Sequence, residues 1–110
     1  MGVRENKVEK YLDDEIKKLG GTTRKWVSPG RDGVPDRLVR VPDWPLGVVN
    51  VVEVKTLSGK LQEEQKREHV RLTDEGWLVY TVYGHEGVDD YIAKIKRDLI
   101  DPSRIMGGHY

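Results

Sequence analysis

Residues 48–55 read VVNVVEVK. Valine occupies both parities of this stretch, so an extended chain here is apolar on both faces. That pattern marks a strand buried in the middle of a sheet. Side chains alternate along a strand, so Val49, Val51, Glu53 and Lys55 share one face. A lone carboxylate in such a place is costly unless something pairs with it. One reading is a structural Glu53–Lys55 pair near an exposed strand end. The other is a pair of charges kept for chemistry.

The neighbouring segments set the architecture. Upstream, 28–35 (SPGRDGVP) is turn chemistry, and Pro35 steers the chain into an extended segment, 36–41 (DRLVRV). Residues 42–47 (PDWPLG) connect it to the central strand. Residues 22–27 (TTRKWV) form a further strand. Residues 4–19 form a helix with Val8, Leu12, Ile16 and Leu19 at helical spacing, ended by Gly20-Gly21. Downstream, 61–76 is helical with a thin inward stripe through Leu61, Gln65 and Leu72. Residues 77–84 (WLVYTVYG) are a buried strand. Residues 88–100 are an amphipathic helix with Ile92, Ile95 and Leu99 on one side. The order α-β-β-β-α-β-α predicts an α/β fold: a small mixed sheet flanked by helices. The 110 residues read as one domain, 1–110, with a frayed tail from about residue 101.

Asp36 opens the strand after Pro35. If that strand neighbours 48–55, Asp36 and Glu53 converge at one end of the sheet, where two carboxylates repel and a divalent cation relieves them. Mg²⁺ takes few carboxylates, with water and phosphate oxygens completing its octahedron. The Val54 backbone carbonyl is a natural third ligand, and Lys55 points at a metal-bound water or a phosphate. This set suits phosphodiester hydrolysis. At about 100° per residue, Glu5 falls in the middle of the apolar stripe of the first helix. It is either a third carboxylate for the same cluster or a first-turn acid favouring the helix dipole. Glu9 lies at the edge of the stripe. Gln65 faces inward on the second helix, either to orient a water or phosphate or to cap backbone.

Composition narrows the alternatives. Lys plus Arg equals Asp plus Glu at 19 each, so bulk charge gives no support to a generic nucleic-acid binder. The absence of cysteine excludes a disulfide framework, a zinc ribbon and a thiol nucleophile. No apolar run has the length of a membrane span, and the first ten residues lack a signal-peptide core. A cytoplasmic protein is expected. His69, His85 and His109 lack metal-ligand spacing and read as surface or structural residues. The charge-dense run 63–75 reads as a solvated helix face.

Asp36 followed by Glu53-Val54-Lys55 resembles the PD-(D/E)XK nuclease signature. With an upstream helical glutamate, the GVPD turn and a glutamine-bearing helix start, the chain is similar to the VRR-NUC branch over roughly residues 4–82. The resemblance implies a restriction-endonuclease-like core. It also implies Asp36 and Glu53 as metal ligands, Lys55 as catalytic lysine, Glu5 as the first-helix acid and Gln65 as the motif glutamine, with Gln62 as its competitor. It implies Mg²⁺ or Mn²⁺ and no organic cofactor. The implied substrate is branched DNA, cut by a homodimer resembling phage and bacterial Holliday-junction resolvases, in the host cytoplasm where phage-encoded. A two-fold dimer supplies two cuts. Flap or nicking cleavage, and a non-catalytic DNA-binding module, are the alternatives. Arg31, Arg37, Lys60 and Lys7 are candidate phosphate contacts. Trp44 is read as exposed, either an interface anchor or a loop plug.

Overall fold

The computed structural model describes residues 2–101, with side chains from Glu5 onward. The expected frayed tail and His109 lie outside the described residues. The elements are α1 (Gly2–Lys18), β1 (Thr22–Lys25), β2 (Arg37–Arg40), β3 (Asn50–Lys55), α2 (Glu63–Glu75), β4 (Leu78–Tyr83) and α3 (Gly84–Ile100). This is the predicted order and the predicted fold class. The sheet runs β1-β2-β3-β4, with β1, β2 and β3 antiparallel and β4 parallel to β3. A parallel neighbour needs a crossover, and α2 supplies it.

All six residues of β3 are buried. Val52 and Val54 join Val8, Leu12 and Ile16 of α1 and Val88, Tyr91, Ile92 and Ile95 of α3 in the main core. Val51 faces the other way, into a smaller core with Leu72 of α2 and Val79 of β4, against which Trp26 and Leu38 pack. The double-sided valine pattern therefore reflects two helical layers over one strand. Among the described residues no helix is long and apolar enough to cross a membrane.

The element ends differ from the sequence reading for local reasons. Val48 donates its N–H to Pro45 (3.2 Å), so β3 starts at Asn50 and not at residue 48. Gln62 caps α2, so that helix starts at Glu63. The sequence reading places Gly84 in the strand and starts the last helix at residue 88, yet α3 begins at Gly84, directly after β4. Gly87 serves packing there: a Cβ on it would lie 3.2 Å from the Val82 backbone. Trp44 is not exposed. It is 5% accessible and belongs to the main core, so it plugs the loop and is no interface anchor. Arg40 holds that loop by donating to the carbonyls of Pro45, Val48 and Trp44 at 2.7, 2.8 and 2.9 Å.

Asn50 is the polar break in the valine run. Its Nδ2 donates to the Tyr91 hydroxyl at 2.7 Å, tying β3 to α3 through the core. Tyr91→Phe leaves that buried amide without this acceptor and should cost about 1–3 kcal/mol in urea unfolding. Replacing both partners, Asn50→Leu with Tyr91→Phe, should recover much of the loss.

Candidate active site

Register places the two carboxylates together. Arg37 pairs with Val52, so the next step sets Asp36 beside Glu53. The Asp36 carbonyl accepts the Trp26 N–H (3.1 Å), and its Oδ2 accepts the Val54 N–H (2.7 Å). A second step of the register sets Pro35 opposite Val54. Within a strand the N–H and C=O of one residue point to the same side, and Pro35 has no N–H to give. The Val54 carbonyl thus faces the Asp36 side with no ladder donor from Pro35.

Glu53 is only 2% exposed. Both its oxygens are met by α2 side chains: Gln65 Nε2 donates to Oε2 (3.2 Å), and His69 Nε2 lies 3.3 Å from Oε1. The Gln65 amide is oriented by its other end. Its Oε1 accepts the Gln62 N–H (2.8 Å), and since a backbone N–H can only donate, the NH₂ group must face Glu53. Of the two glutamines, Gln65 is the one that touches Glu53, while Gln62 is exposed at the helix cap. Burial pushes the Glu53 carboxyl up to about 7. His69 opposes that shift, and the Asp36 carboxyl, within hydrogen-bond reach, adds to it.

Lys55 is buried to 8% exposure, yet no Glu53–Lys55 ion pair forms, and among the described residues its ammonium has no partner. Among the described residues no buried side-chain nitrogen is left sealed and unsatisfied, so Nζ reaches the surface while its stem stays packed. The structural-pair reading of these two residues is therefore not realised.

The donors suit a hard cation. Two mutually repelling carboxylates and a backbone carbonyl form an all-oxygen set, leaving further positions to water or phosphate, as Mg²⁺ prefers. Among the described residues no three acidic or histidine side chains stand together as a complete cage. Glu5 is half-buried in the first turn of α1 and is not gathered with Asp36 and Glu53. The α1 acid in electrostatic contact with Asp36 is Glu9. Burial pushes its carboxyl up; Arg37 pulls it down and Asp36 pushes it further up.

The candidate phosphate contacts divide. Arg37 is taken up by Glu9 (2.9 Å) and Asp13 (3.1 Å). Arg31 binds Glu68 (2.9 Å). Lys7 and Lys60 are exposed, and Lys7 lines a cleft of about 440 Å³ with Val8, Thr56, Leu57, Ser58 and His85, next to Lys55 in the chain. His85 itself stacks on Tyr11, with ring centroids 4.4 Å apart.

Two residues escaped the sequence reading. His69 contacts Glu53, and Glu68, assigned to a solvated face, is 1% exposed. Arg31 and Arg71 hold its carboxyl below the usual range, Arg31 most strongly. The signal was present: at about 100° per residue, Gln65, Glu68 and Leu72 fall within about 60° on α2. The loop before Asp36 also meets this helix at Gly33. Gly33 has φ +84°, and a Cβ there would lie 2.5 Å from the Glu64 carbonyl oxygen.

No family model matches the sequence. Protein p44 of Acyrthosiphon pisum secondary endosymbiont phage 1, named as a nuclease, is 49% identical over 70 residues, 64% of this chain and 72% of p44. A solved VRR_NUC domain is 38% identical with a TM-score of 0.73, covering 82% of this chain and 95% of that one. The chain belongs to the VRR-NUC nuclease family. Archaeoglobus fulgidus Hjc, a Holliday junction resolvase, shares the fold at 16% identity and a TM-score of 0.51, over 72% of this chain and 67% of its own.

The raised Glu53 carboxyl has a signed consequence. Its folded value of about 7 lies above the ordinary 4.5, so between these the folded state binds more protons. This contribution to stability is present below about pH 4.5 and is lost as pH rises through 7, by up to about 3 kcal/mol. Glu53→Gln should therefore raise the metal-free melting temperature at pH 8 and change it little at pH 5. It should also abolish stabilisation by added Mn²⁺ or Mg²⁺. Scanning calorimetry at the two pH values, with and without metal, checks both.

Proposed function

We propose that this VRR-NUC protein is a divalent-metal-dependent endonuclease that hydrolyses phosphodiester bonds in branched DNA, acting as a homodimer at four-way junctions in the cytoplasm. The observation that carries this reading is the meeting of Asp36 and Glu53 at the end of β3, with the Lys55 ammonium, which has no partner among the described residues, on the same face. Its likeness in fold to a Holliday junction resolvase supports the junction as substrate. Two other clefts, about 520 Å³ between β4 and α3 and about 420 Å³ beside the start of β3, lie away from these residues. Asp36 and Glu53 line none of these three clefts, which suits a substrate as broad as duplex DNA.

Asp36, Glu53 and the Val54 carbonyl would hold Mg²⁺ or Mn²⁺, with Glu5 acting through water. When bound, the cation neutralises charge on the phosphate and lowers the pKa of water. The chain's own residues do the rest. Lys55 is placed to hold the attacking water or a non-bridging phosphate oxygen, favouring the extra charge of the transition state. Gln65 and His69 each hold one oxygen of Glu53, so the carboxylate keeps a single orientation. Asp36 is fixed by the Val54 N–H. Lys7 and Lys60, exposed near the end of β3, contact backbone phosphates. A neutral domain of this size has little contact area, and a two-fold dimer doubles it and supplies two cuts.

Purified protein incubated with four-way junctions, flaps and linear duplex in Mg²⁺, Mn²⁺ or EDTA tests the proposal. Paired nicks in the junction are expected with metal and none in EDTA. Asp36→Ala and Lys55→Ala should each lower the rate by about 10²-fold or more. Cleavage in EDTA or in both variants sinks the site assignment, and equal cutting of plain duplex sinks the branched-DNA specificity. Preferential cutting of flaps by a protein that sediments as a monomer would replace the junction reading with a flap nuclease.

A further inference from the structure

Glu68 is a further buried carboxylate, on α2, and hydrolysis as proposed makes no use of it. Its side chain is 2% exposed, and its two oxygens are divided between two arginines. Arg31 Nε donates to Oε2 at 2.9 Å, and Arg71 Nε and Nη2 donate to Oε1 at 3.0 and 2.8 Å. Both arginine side chains are 51% exposed. We infer that Arg31 and Arg71, held side by side by Glu68, form a second binding site for a nucleic-acid backbone phosphate beside the Asp36–Glu53 centre. The inference rests on the nucleic-acid reading above.

Charge and geometry carry it. One carboxylate needs one guanidinium for neutrality, and Arg31 alone ties the loop before Asp36 to α2. Arg71 is the surplus: the ion-paired trio of Glu68, Arg31 and Arg71 carries one positive charge in excess, with Glu75 a further acid in electrostatic range of Arg31. Arg37 shows the opposite arrangement: two acids, Glu9 and Asp13, surround one arginine whose side chain is 14% exposed, and nothing is left over for a ligand. Among the described residues, both terminal amino groups of Arg31 and Nη1 of Arg71 have no protein partner. A guanidinium fixed at one edge by a buried group presents its remaining N–H fork preorganised, the geometry that suits phosphate oxygens.

Placement agrees. Glu68 follows Gln65 by three residues, about 4.5 Å along the helix axis. Arg31 stands two residues before Gly33, in the loop that ends at Asp36. The cluster therefore shares its helix and its loop with the residues around the metal pair. DNA advances about 3.4 Å along its axis per nucleotide of one strand. A strand with its scissile phosphate at Asp36–Glu53 thus sets a neighbouring phosphate within reach of the two arginines.

The test is binding of a fluorescent four-way junction in EDTA, followed by anisotropy over a range of salt concentrations. Each phosphate contact contributes about 0.9 to the slope of log affinity against log salt. Arg71→Gln should reduce the slope by about one contact, and Arg71→Lys should keep it. The melting temperature of Arg71→Gln should change little, because Arg31 still pairs with Glu68. An unchanged slope with a lowered melting temperature marks a purely structural cluster and overturns the inference, as does absence of measurable binding by the unaltered protein. Junction cleavage in Mg²⁺ is measured alongside. Cutting with an unchanged slope overturns the arginine site and leaves the nuclease reading standing. A reduced slope without cutting does the reverse.

Discussion

The structure turns on one carboxylate, Glu53, set in the central strand with a second, Asp36, against it. A buried acid is tolerated only where donors replace water, and here the replacement is partial. Gln65 and His69 supply one contact to each oxygen, but Asp36 adds a like charge at the same point. The balance falls on the side of protonation, which is why the Glu53 carboxyl is pushed up to about 7. A core built for stability alone would put an apolar residue at this position. The neighbourhood instead keeps Glu53 in place while leaving its charge under-compensated, a balance that a cation would complete.

Several separate features serve that arrangement. Pro35 withholds an N–H from the edge of β3, so the ladder stops where the Val54 carbonyl faces Asp36. The Val54 N–H is not lost, because Asp36 accepts it at 2.7 Å. Helix α2 then braces both carboxylates at once. Its first turn lies against Gly33, its Gln65 is locked between the helix cap and Glu53, and its Glu68 grips Arg31 in the loop leading to Asp36. Shifting α2 moves both halves of the centre together, so their separation is protected against small motions of the helix.

Much of this was legible beforehand, and the limits have physical causes. The valine run, the glycine stops and the helical stripes specify the elements, because burial periodicity is written directly into side-chain type. Asp36, Glu53 and Lys55 stood out as polar residues where the pattern wants apolar ones. The same logic singled out Glu5, which is half-buried, but a helix stripe says nothing about how far along the helix a neighbour lies. Glu9, one turn further in, is the acid that interacts with Asp36. Glu68 escaped because charge-dense helices are usually solvated, and only its angular position set it apart. Trp44 was misread because its loop is polar, while the loop's fold depends on Arg40 gathering three carbonyls that are distant from any sequence pattern.

The zero net charge also takes on a different meaning once the partners are known. Formal charge treats all 38 charged residues alike. In the folded chain Arg37 is consumed by two acids, whereas Glu53 and Asp36 are the acids a divalent cation would neutralise. Among the described residues Lys55, Lys7 and Lys60 have no ion-pair partner, and two arginines share the one carboxylate of Glu68. With a divalent cation on those two acids, the surface around the site would be more positive than the chain as a whole. A bound cation would then strengthen the hold on a polyanion at this centre, while the arginines around Glu68 would act on it with or without metal.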